Sequence, residues 1–272
     1  MKALKVLLAI VAAALALQAH AQQPVKVRIA WIVPVSNLGQ FIFTVKDQLR
    51  HHGKSYIAEP IRFQGTTPQL TALATGELDI ALLGFTSFPL AIQNAKMEDL
   101  RIILDEFRDG APGYYSNEFL VRNDSGINSI ADLKGKTLST NAAGSAVDVA
   151  ARTMLRKNRL DDKSFTVVEA AFPNMRAMLL EKKVELIPAV PPFSFNAELR
   201  ANAKVLFTEG DALGPNFLGI WVARTGFLEK SRAVVIDVLE DYLRVLRFLT
   251  DPKNHKAAVE IASAASKIPA EV

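Results

Sequence analysis

Short apolar segments alternate with longer, helix-like segments along most of this chain, and this alternation limits the possible folds more than any other feature. Leu78–Leu83 is almost continuously apolar, which is typical of a strand buried on both faces of a parallel sheet. The segment before it starts with Thr67 and Pro68, a favoured start for a helix. Because the same alternation continues over Val25–Ala223, the sequence predicts an α/β fold of mostly parallel sheets flanked by helices.

The expected elements divide into two groups. Val25–Val33 is predicted to be the first strand, Gln40–His52 the helix after it, and Lys230–Thr250 a long amphipathic helix near the C-terminus. The segment Asp109–Gly113 lies between the groups and contains Pro and two Gly residues. Such a composition is typical of a connection between compact units, so we expect a lobe junction there.

The N-terminus has the three parts of a secretory signal peptide. Lys2 and Lys5 form a basic head, Val6–Leu17 is almost purely apolar, and Ala19-His20-Ala21 provides small residues for cleavage. The apolar part is about a dozen residues long, shorter than the roughly 20 that span a bilayer; a retained membrane anchor is the alternative. We expect residues 1–21 to be removed after Ala21 and the mature protein to be soluble and periplasmic.

The charge balance gives no indication of a nucleic-acid partner. The chain has 32 Lys and Arg residues and 28 Asp and Glu residues. Removal of Lys2 and Lys5 with the signal peptide would leave 30 against 28, a net charge of +2, and the sequence contains no cluster of basic and aromatic residues. Because the chain contains no cysteine, we expect no disulfide and no lipid anchor on cysteine, so stability must come from buried apolar cores.

Motifs of the common enzyme classes are absent from the sequence. It contains neither a G-x-S-x-G nucleophile elbow, nor a Walker loop, nor the dinucleotide-binding G-x-G-x-x-G. His20 leaves with the signal peptide, His51 and His52 are adjacent rather than four residues apart, and His255 lies in a polar segment. We therefore expect no catalytic residue, no metal site and no cofactor, and we interpret the protein as a binding protein rather than an enzyme.

Two segments resemble a known family of transport proteins. Gly76–Gly84 (GELDIALLG) resembles the G-x-x-D-hydrophobic-A-x-x-G element of the solute-binding proteins for nitrate, sulfonates, taurine and thiamine precursors. Ile130–Leu138 (IADLKGKTL) is similar to the x-x-D-L-K-G-K-x-hydrophobic element of the same family. Gly144 and Ser145 then fall where that family has a ligand-facing G-S pair at a helix start. The order and spacing agree over nearly the whole mature chain.

The resemblance implies a two-lobed, Venus-flytrap fold of the type II periplasmic binding proteins, in which the ligand lies in a cleft and closes a hinge. Lobe one is expected over residues 24–107 and 213–272, and lobe two over residues 108–212. The implied role is the solute-binding component of an ABC importer, a monomer with a permease as its partner. Two alternatives share the fold: a periplasmic sensor or adaptor subunit, and a protein that binds or forms a pyrimidine precursor of thiamine.

The candidate ligand-binding residues follow strands of the predicted sheets, because open α/β sheets bind ligands beyond the carboxyl ends of their strands. Three such ends are rich in Gly, Ser, Thr and Asn and carry no charged side chain. Backbone N–H groups in such loops, and the dipole of a helix that begins there, favour an anionic ligand. The candidates at these ends are Ser36, Asn37, Leu38, Gly84, Phe85, Thr86, Ser87, Asn141, Gly144 and Ser145. Pro192 and Phe193 are added because the resembled family often has a Pro and an aromatic residue near the cleft at this point, and Asn216 because it follows Pro215 in a loop expected near the cleft.

Each candidate also has a simpler interpretation. The serines 36, 87 and 145 are equally suited to cap the helices that follow them. Phe85 and Phe193 are equally suited to ordinary packing, because large aromatic residues are commonly buried. What favours a site is the combination, since all three polar turns are expected at the same edge of the two sheets.

An apolar cleft with uncharged donors suits an organic acid or a sulfonate with an apolar body better than a bare inorganic anion. We therefore expect a small organic anion as the ligand. Arg108, Arg152 and Arg176 are candidates for a clamp on its charge, although the sequence does not distinguish them from arginines that face solvent.

The C-terminal segment is abrupt. Ala262–Lys267 is predicted to be helical, and Ile268–Glu271 is typical of a turn into a further helix. The sequence stops at Val272, so either the natural chain is short or the gene product is truncated, and we expect truncation.

Overall fold

The computed structural model describes residues 23–270, so the predicted signal peptide lies outside the described part of the chain. The strands are β1 (Val25–Trp31), β2 (Tyr56–Arg62), β3 (Ala81–Leu83), β4 (Leu100–Asp109), β5 (Glu118–Arg122), β6 (Thr137–Thr140), β7 (Thr166–Glu169), β8 (Ile187–Ala189), β9 (Ala203–Thr208) and β10 (Asn216–Arg224). The α-helices are α1 (Thr67–Ala74), α2 (Ser87–Ala95), α3 (Ala146–Lys157), α4 (Phe172–Leu180), α5 (Ala197–Asn202), α6 (Glu209–Leu213), α7 (Thr225–Lys230), α8 (Arg232–Thr250) and α9 (His255–Ser266). Among these helices, none combines the length and the apolar character that crossing a membrane requires.

The first sheet has the strand order β2-β1-β3-β10-β4. β1 and β2 are parallel, and a parallel bridge between Ile29 and Ile80 joins β1 to the residue before β3. β10 is antiparallel to both β3 and β4. The core on this sheet contains Trp221 of β10 and Tyr242 of α8, which are both almost fully buried.

The second sheet repeats this arrangement in the order β7-β6-β8-β5-β9. β6 is parallel to β7, and a parallel bridge between Leu138 and Leu186 joins β6 to the start of β8. β5 is antiparallel to β8 and β9. A separate core, which includes Phe119, Leu155 and Leu179, lies against this sheet.

These two sheets and two cores confirm the predicted two-lobed α/β fold, and each sheet is mixed rather than uniformly parallel. β10 and β5 each begin where the chain has just crossed between the lobes, so they run away from the junction. The other strands run towards it, which makes one strand in each lobe antiparallel to its neighbours. The expected lobe limits at 107/108 and 212/213 fall inside β4 and α6 and stay predictions.

The two crossings touch each other at a pair of glycines. Gly110 follows β4 and has a positive φ of 71°, a conformation that favours glycine. A Cβ atom on Gly110 would lie 3.0 Å from the Cα atom of Gly210 on the other crossing. Larger residues at this point would push the two inter-lobe connections apart. The glycines therefore allow these connections, which we refer to as the hinge, to approach each other closely.

Two predicted helices are wrong in detail. Gln40–His52 is not one helix but a series of short 3-10 turns, because the backbone at Val45 is not helical and the N–H groups of Arg50, His51 and His52 donate to Asp241 instead of to helical carbonyls. Lys230–Thr250 is interrupted at Ser231, whose backbone is not helical, so α7 ends at Lys230 and α8 begins at Arg232.

Candidate functional site

A cavity of about 250 Å³ lies between the two sheets, and residues of both lobes line it. This volume suits a small molecule. The apolar part of its lining is formed by Ile32, Val33, Leu82, Phe107, Ala146, Val147, Phe172, Val190, Pro191 and Leu218. The polar part is formed by Ser36, Asn37, Thr66, Arg108, Asp109, Tyr115, Asn117, Asn141 and Ser145.

The loop after β1 forms one wall of the cavity. Asn37 is buried, and its side-chain oxygen accepts hydrogen bonds from the N–H groups of Ile32 (3.0 Å) and Val33 (2.7 Å). The loop is thereby held against the end of the strand. Ser36 donates a hydrogen bond of 2.5 Å to the carbonyl of Pro191 in lobe two, so this wall also connects the lobes.

Leu38 follows Asn37 but does not line the cavity. Its N–H group donates to Oε1 of Glu106 at 2.9 Å, inside lobe one. Burial raises the pKa of Glu106 to about 7, although hydrogen bonds such as the one from Leu38 act in the opposite direction. Leu38 therefore anchors the loop rather than contacting the cavity.

The start of α3 forms the facing wall. Ser145 precedes the helix, and its hydroxyl donates to Oδ1 of Asn141 at 2.6 Å instead of capping the helix. Ala146 and Val147 line the cavity, and the N–H groups of a first helical turn have no partner within the helix. These N–H groups and the helix dipole make this wall suitable for a negatively charged group.

The two lobes are in direct contact beside the cavity. Gln64 and Asn141 exchange two hydrogen bonds, each from a side-chain amide to the other's backbone carbonyl, at 2.7 and 3.0 Å. Thr67 of lobe one donates to the carbonyl of Ala143 at 2.7 Å. The structure is therefore a closed arrangement in which backbone groups of both lobes meet.

Two glycines permit this close contact. A Cβ atom on Gly65 would lie 2.7 Å from Cβ of Ala142, and one on Gly84 would lie 3.0 Å from Cβ of Ala146. Gly84 is one of the predicted site residues; it does not line the cavity but faces the start of α3 from the opposite lobe.

The hinge side of the cavity carries buried acids. Asp109 lines the cavity; burial raises its pKa, while hydrogen bonds from Ser116 and Asn117 act in the opposite direction. Glu209 lies behind it and is fully buried. Burial, followed by the charge of Asp109, raises the pKa of Glu209 to about 8. Sequence reasoning missed both acids, because neither lies in a motif.

The structure brings four of the predicted site residues together on the cavity lining, namely Ser36, Asn37, Asn141 and Ser145. Two more stand directly behind it. The hydroxyl of Ser87 is 2.7 Å from that of Thr66 on the lining and 3.3 Å from the carbonyl of Gly144, which makes Ser87 and Gly144 a lobe-to-lobe contact.

The remaining predicted residues lie outside the lining. Phe85 is 39 % exposed, and Thr86 precedes α2 without capping it through its side chain. Pro192 follows Pro191, which is on the lining, while Phe193 faces a smaller pocket within lobe two. Asn216 lies beside Asp109 in the β4–β10 pairing and donates to the carbonyl of Gly214.

Of the three candidate arginines, Arg108 alone lines the cavity. Its guanidinium pairs with Asp105 at 2.8 Å and lies 4.6 Å from the centre of the Phe217 ring. Arg152 is paired with Asp148 on α3, and Arg176 with Glu198.

Several lining residues had no recognisable signal in the sequence. Tyr115, Asn117 and Phe172 lie in connections or at a helix start, away from the strand ends that reasoning from the sequence considered. The sequence pattern predicts a short strand over Leu100–Leu104, whereas β4 continues to Asp109, and Phe107 lies in this additional part. A strand predicted to extend to Asp109 would have placed Phe107, Arg108 and Asp109 at the sheet edge where the other candidate residues are expected.

The sequence and the fold both match known proteins. The model of the NMT1-like family matches residues 20–263. The alkanesulfonate-binding protein SsuA from Xanthomonas axonopodis pv. citri, solved bound to MOPS, is 20% identical with a TM-score of 0.73, and the match covers 92% of this chain and 82% of that one. No curated protein sequence matches this chain significantly.

Two other solved structures show the functional range of the fold. The periplasmic nitrate-binding protein NrtA from Synechocystis PCC 6803 is 14% identical, with a TM-score of 0.71 over 91% of this chain and 68% of that one. The desulfurization enzyme DszB is also 14% identical, with a TM-score of 0.59 over 90% of this chain and 82% of that one. The fold is therefore shared by binding proteins and by an enzyme.

Proposed function

Because the chain belongs to the NMT1-like family, we propose that it is the solute-binding component of an ABC importer and captures a small organic anion between its lobes. The observation that carries this proposal is the mostly apolar cavity of about 250 Å³, which both lobes line and whose facing wall is the start of α3. A periplasmic location and a permease partner belong to the same proposal.

The lining favours an anionic head group joined to an apolar body. The head group would lie at the start of α3, where backbone N–H groups and the helix dipole stabilise negative charge. Phe107, Phe172 and Val190 would cover the body. A bare inorganic anion would leave these side chains without a partner, so an organic anion is the better match.

The known proteins support this assignment. The fold is that of SsuA and NrtA, which bind an alkanesulfonate and nitrate, and the bound MOPS of one SsuA is itself a sulfonate with an organic body. We propose binding without turnover, although DszB shows that an enzyme can have the same fold. A sensor subunit with the same fold would bind in the same way and differ in its partner.

Differential scanning fluorimetry tests the proposal. We expect the melting temperature of the purified protein to rise with sulfonates or carboxylates that carry an apolar group, and to rise less with nitrate or sulfate. A ligand that binds the folded state and not the unfolded state raises the melting temperature in this way. Failure of every small anion to raise the melting temperature would overturn the proposal.

Ser145→Ala examines the wall at α3. The substitution removes the hydrogen bond that orients Asn141, and we expect the affinity for the best anion to fall about fivefold, since one hydrogen bond contributes roughly 1 kcal/mol. Ser164→Ala is the matched control, because Ser164 is bonded to Asp161 at the surface of the same lobe. Equal affinities of the two variants would show that the start of α3 does not contribute to ligand binding.

A further inference from the structure

Two buried acids occupy the hinge side of the cavity. Asp109 ends β4 and lines the cavity with only 3 % of its surface exposed. Glu209 begins α6 and is fully buried. Asn117 connects them, since its N–H group donates to Asp109 at 2.8 Å and its side-chain amide to Glu209 at 3.0 Å. We refer to Asp109 and Glu209 as the hinge acids.

The hinge acids have no cationic partner among residues 23–270. The two oxygens of Asp109 accept hydrogen bonds from the Ser116 hydroxyl (2.5 Å) and the Asn117 N–H group (2.8 Å), which are both uncharged. Oε1 of Glu209 is buried without any partner in this part of the chain. A buried carboxylate is costly unless a cation or strong donors compensate it, and Asp109 has only these two uncharged donors.

Arg108 does not supply the compensating charge, although it is adjacent in sequence. Its side chain is 62 % exposed and is directed to Asp105 and to the ring of Phe217. Asp109 is instead among the residues that line the cavity.

From this arrangement we infer that Asp109 determines specificity by pairing with a cationic amino group of the ligand. The inference rests on the proposed function: the anionic head lies at the start of α3, and the amino group lies at Asp109. The protein then selects amino-substituted organic acids over anions of the same shape without the amino group. Pairing with the ligand supplies the cation that the protein itself does not place beside Asp109.

A matched pair of ligands tests the inference by isothermal titration calorimetry. The probes are 3-aminopropane-1-sulfonate and propane-1-sulfonate, which differ in the ammonium group. We expect the wild-type protein to bind the amino compound at least about tenfold more tightly, as expected for a desolvated charge pair. Equal affinities, or a preference for propane-1-sulfonate, would overturn the inference while leaving the proposed function intact.

Two variants locate the effect. Asp109→Asn should abolish the preference by weakening the amino compound alone, because the variant keeps the shape of the side chain and removes its charge. Glu209→Gln should retain the preference, because Glu209 does not line the cavity and, with a pKa raised to about 8 by burial, already carries a proton at pH 7. A loss of equal size for both ligands in Asp109→Asn would instead show a structural role in the hinge.

The result for the wild type stands even if Asp109→Asn does not fold. If the wild type binds neither sulfonate nor any other small anion, the proposed function itself fails. These outcomes are distinct, since one concerns the difference between two ligands and the other concerns binding at all.

Discussion

Asp241 illustrates how a single buried charge organises an irregular segment. The residue lies in α8 and is fully buried, and its carboxylate accepts hydrogen bonds of 2.7–3.0 Å from the consecutive N–H groups of Arg50, His51 and His52. The hydroxyl of Tyr56 donates to it at 2.9 Å. Burial opposes the charge, but these hydrogen bonds outweigh it and hold the pKa of Asp241 below its ordinary value.

We predict that Asp241→Asn lowers the free energy of unfolding at pH 7 by about 2 kcal/mol, because buried donors lose their acceptor. The lowered pKa makes the carboxylate stabilising above its unfolded pKa of about 3.9, and this contribution is lost as the pH falls through the folded pKa. Urea unfolding at pH 7 and pH 3 measures both effects. A difference between wild type and variant that is equally large at both pH values would contradict the prediction.

At the scale of elements, the two segments that carried the family resemblance have structural roles. Asp79, in Gly76–Gly84, is paired with Arg28 of β1 through both carboxylate oxygens, at 2.6 and 2.9 Å. Asp132, in Ile130–Leu138, forms a capping box with Ser129. These acids therefore stabilise the ends of elements, and the polar loops near them contact the cavity or the opposite lobe.

The pairing of β4 with β10 determines the position of one cavity wall. A Cβ atom on Gly219 of β10 would lie 2.3 Å from the ring of Phe107 on β4, and the register shifts on both sides of Gly219. Phe107 lines the cavity, so the absence of a side chain at position 219 gives its ring the room that it occupies.

We expect Gly219→Ala to destabilise the protein by about 1–3 kcal/mol, the usual cost of overpacking. Chemical denaturation of the variant measures the loss. The double variant Gly219→Ala with Phe107→Leu is the control, since a smaller side chain on β4 should restore part of the stability. No recovery in the double variant would show that contact with Phe107 is not the cause.

At the scale of the whole molecule, closure depends on close backbone contact between the lobes. Gly65 of lobe one faces Ala142 of lobe two, beside the two hydrogen bonds that Gln64 and Asn141 exchange. Each lobe has its own core, so a change at this contact should affect closure without unfolding either lobe.

Gly65→Ala should therefore reduce ligand affinity about tenfold or more, because the added Cβ would lie 2.7 Å from that of Ala142 in the closed arrangement. The melting temperature without ligand should stay within about 2 °C of the wild type, as expected for a change that costs well under 1 kcal/mol in the open state. Gly226→Ala is the matched control, since a Cβ there meets no atom within 4 Å. Titration calorimetry that shows equal affinities for both variants would contradict this role of Gly65.

The sequence by itself determined the α/β fold, most element positions and the polar strand ends that contain Ser36, Asn37, Asn141 and Ser145. Apolar periodicity, turn composition and helix starts act over a few neighbouring residues, so they can be recognised along the chain. Only the tertiary structure decided which of these loops line the cavity and which join the lobes. It also placed Asp109 beside Glu209, a hundred residues apart in the sequence. Burial and the pairing of charges depend on contacts between distant segments, and local patterns contain no information about those contacts.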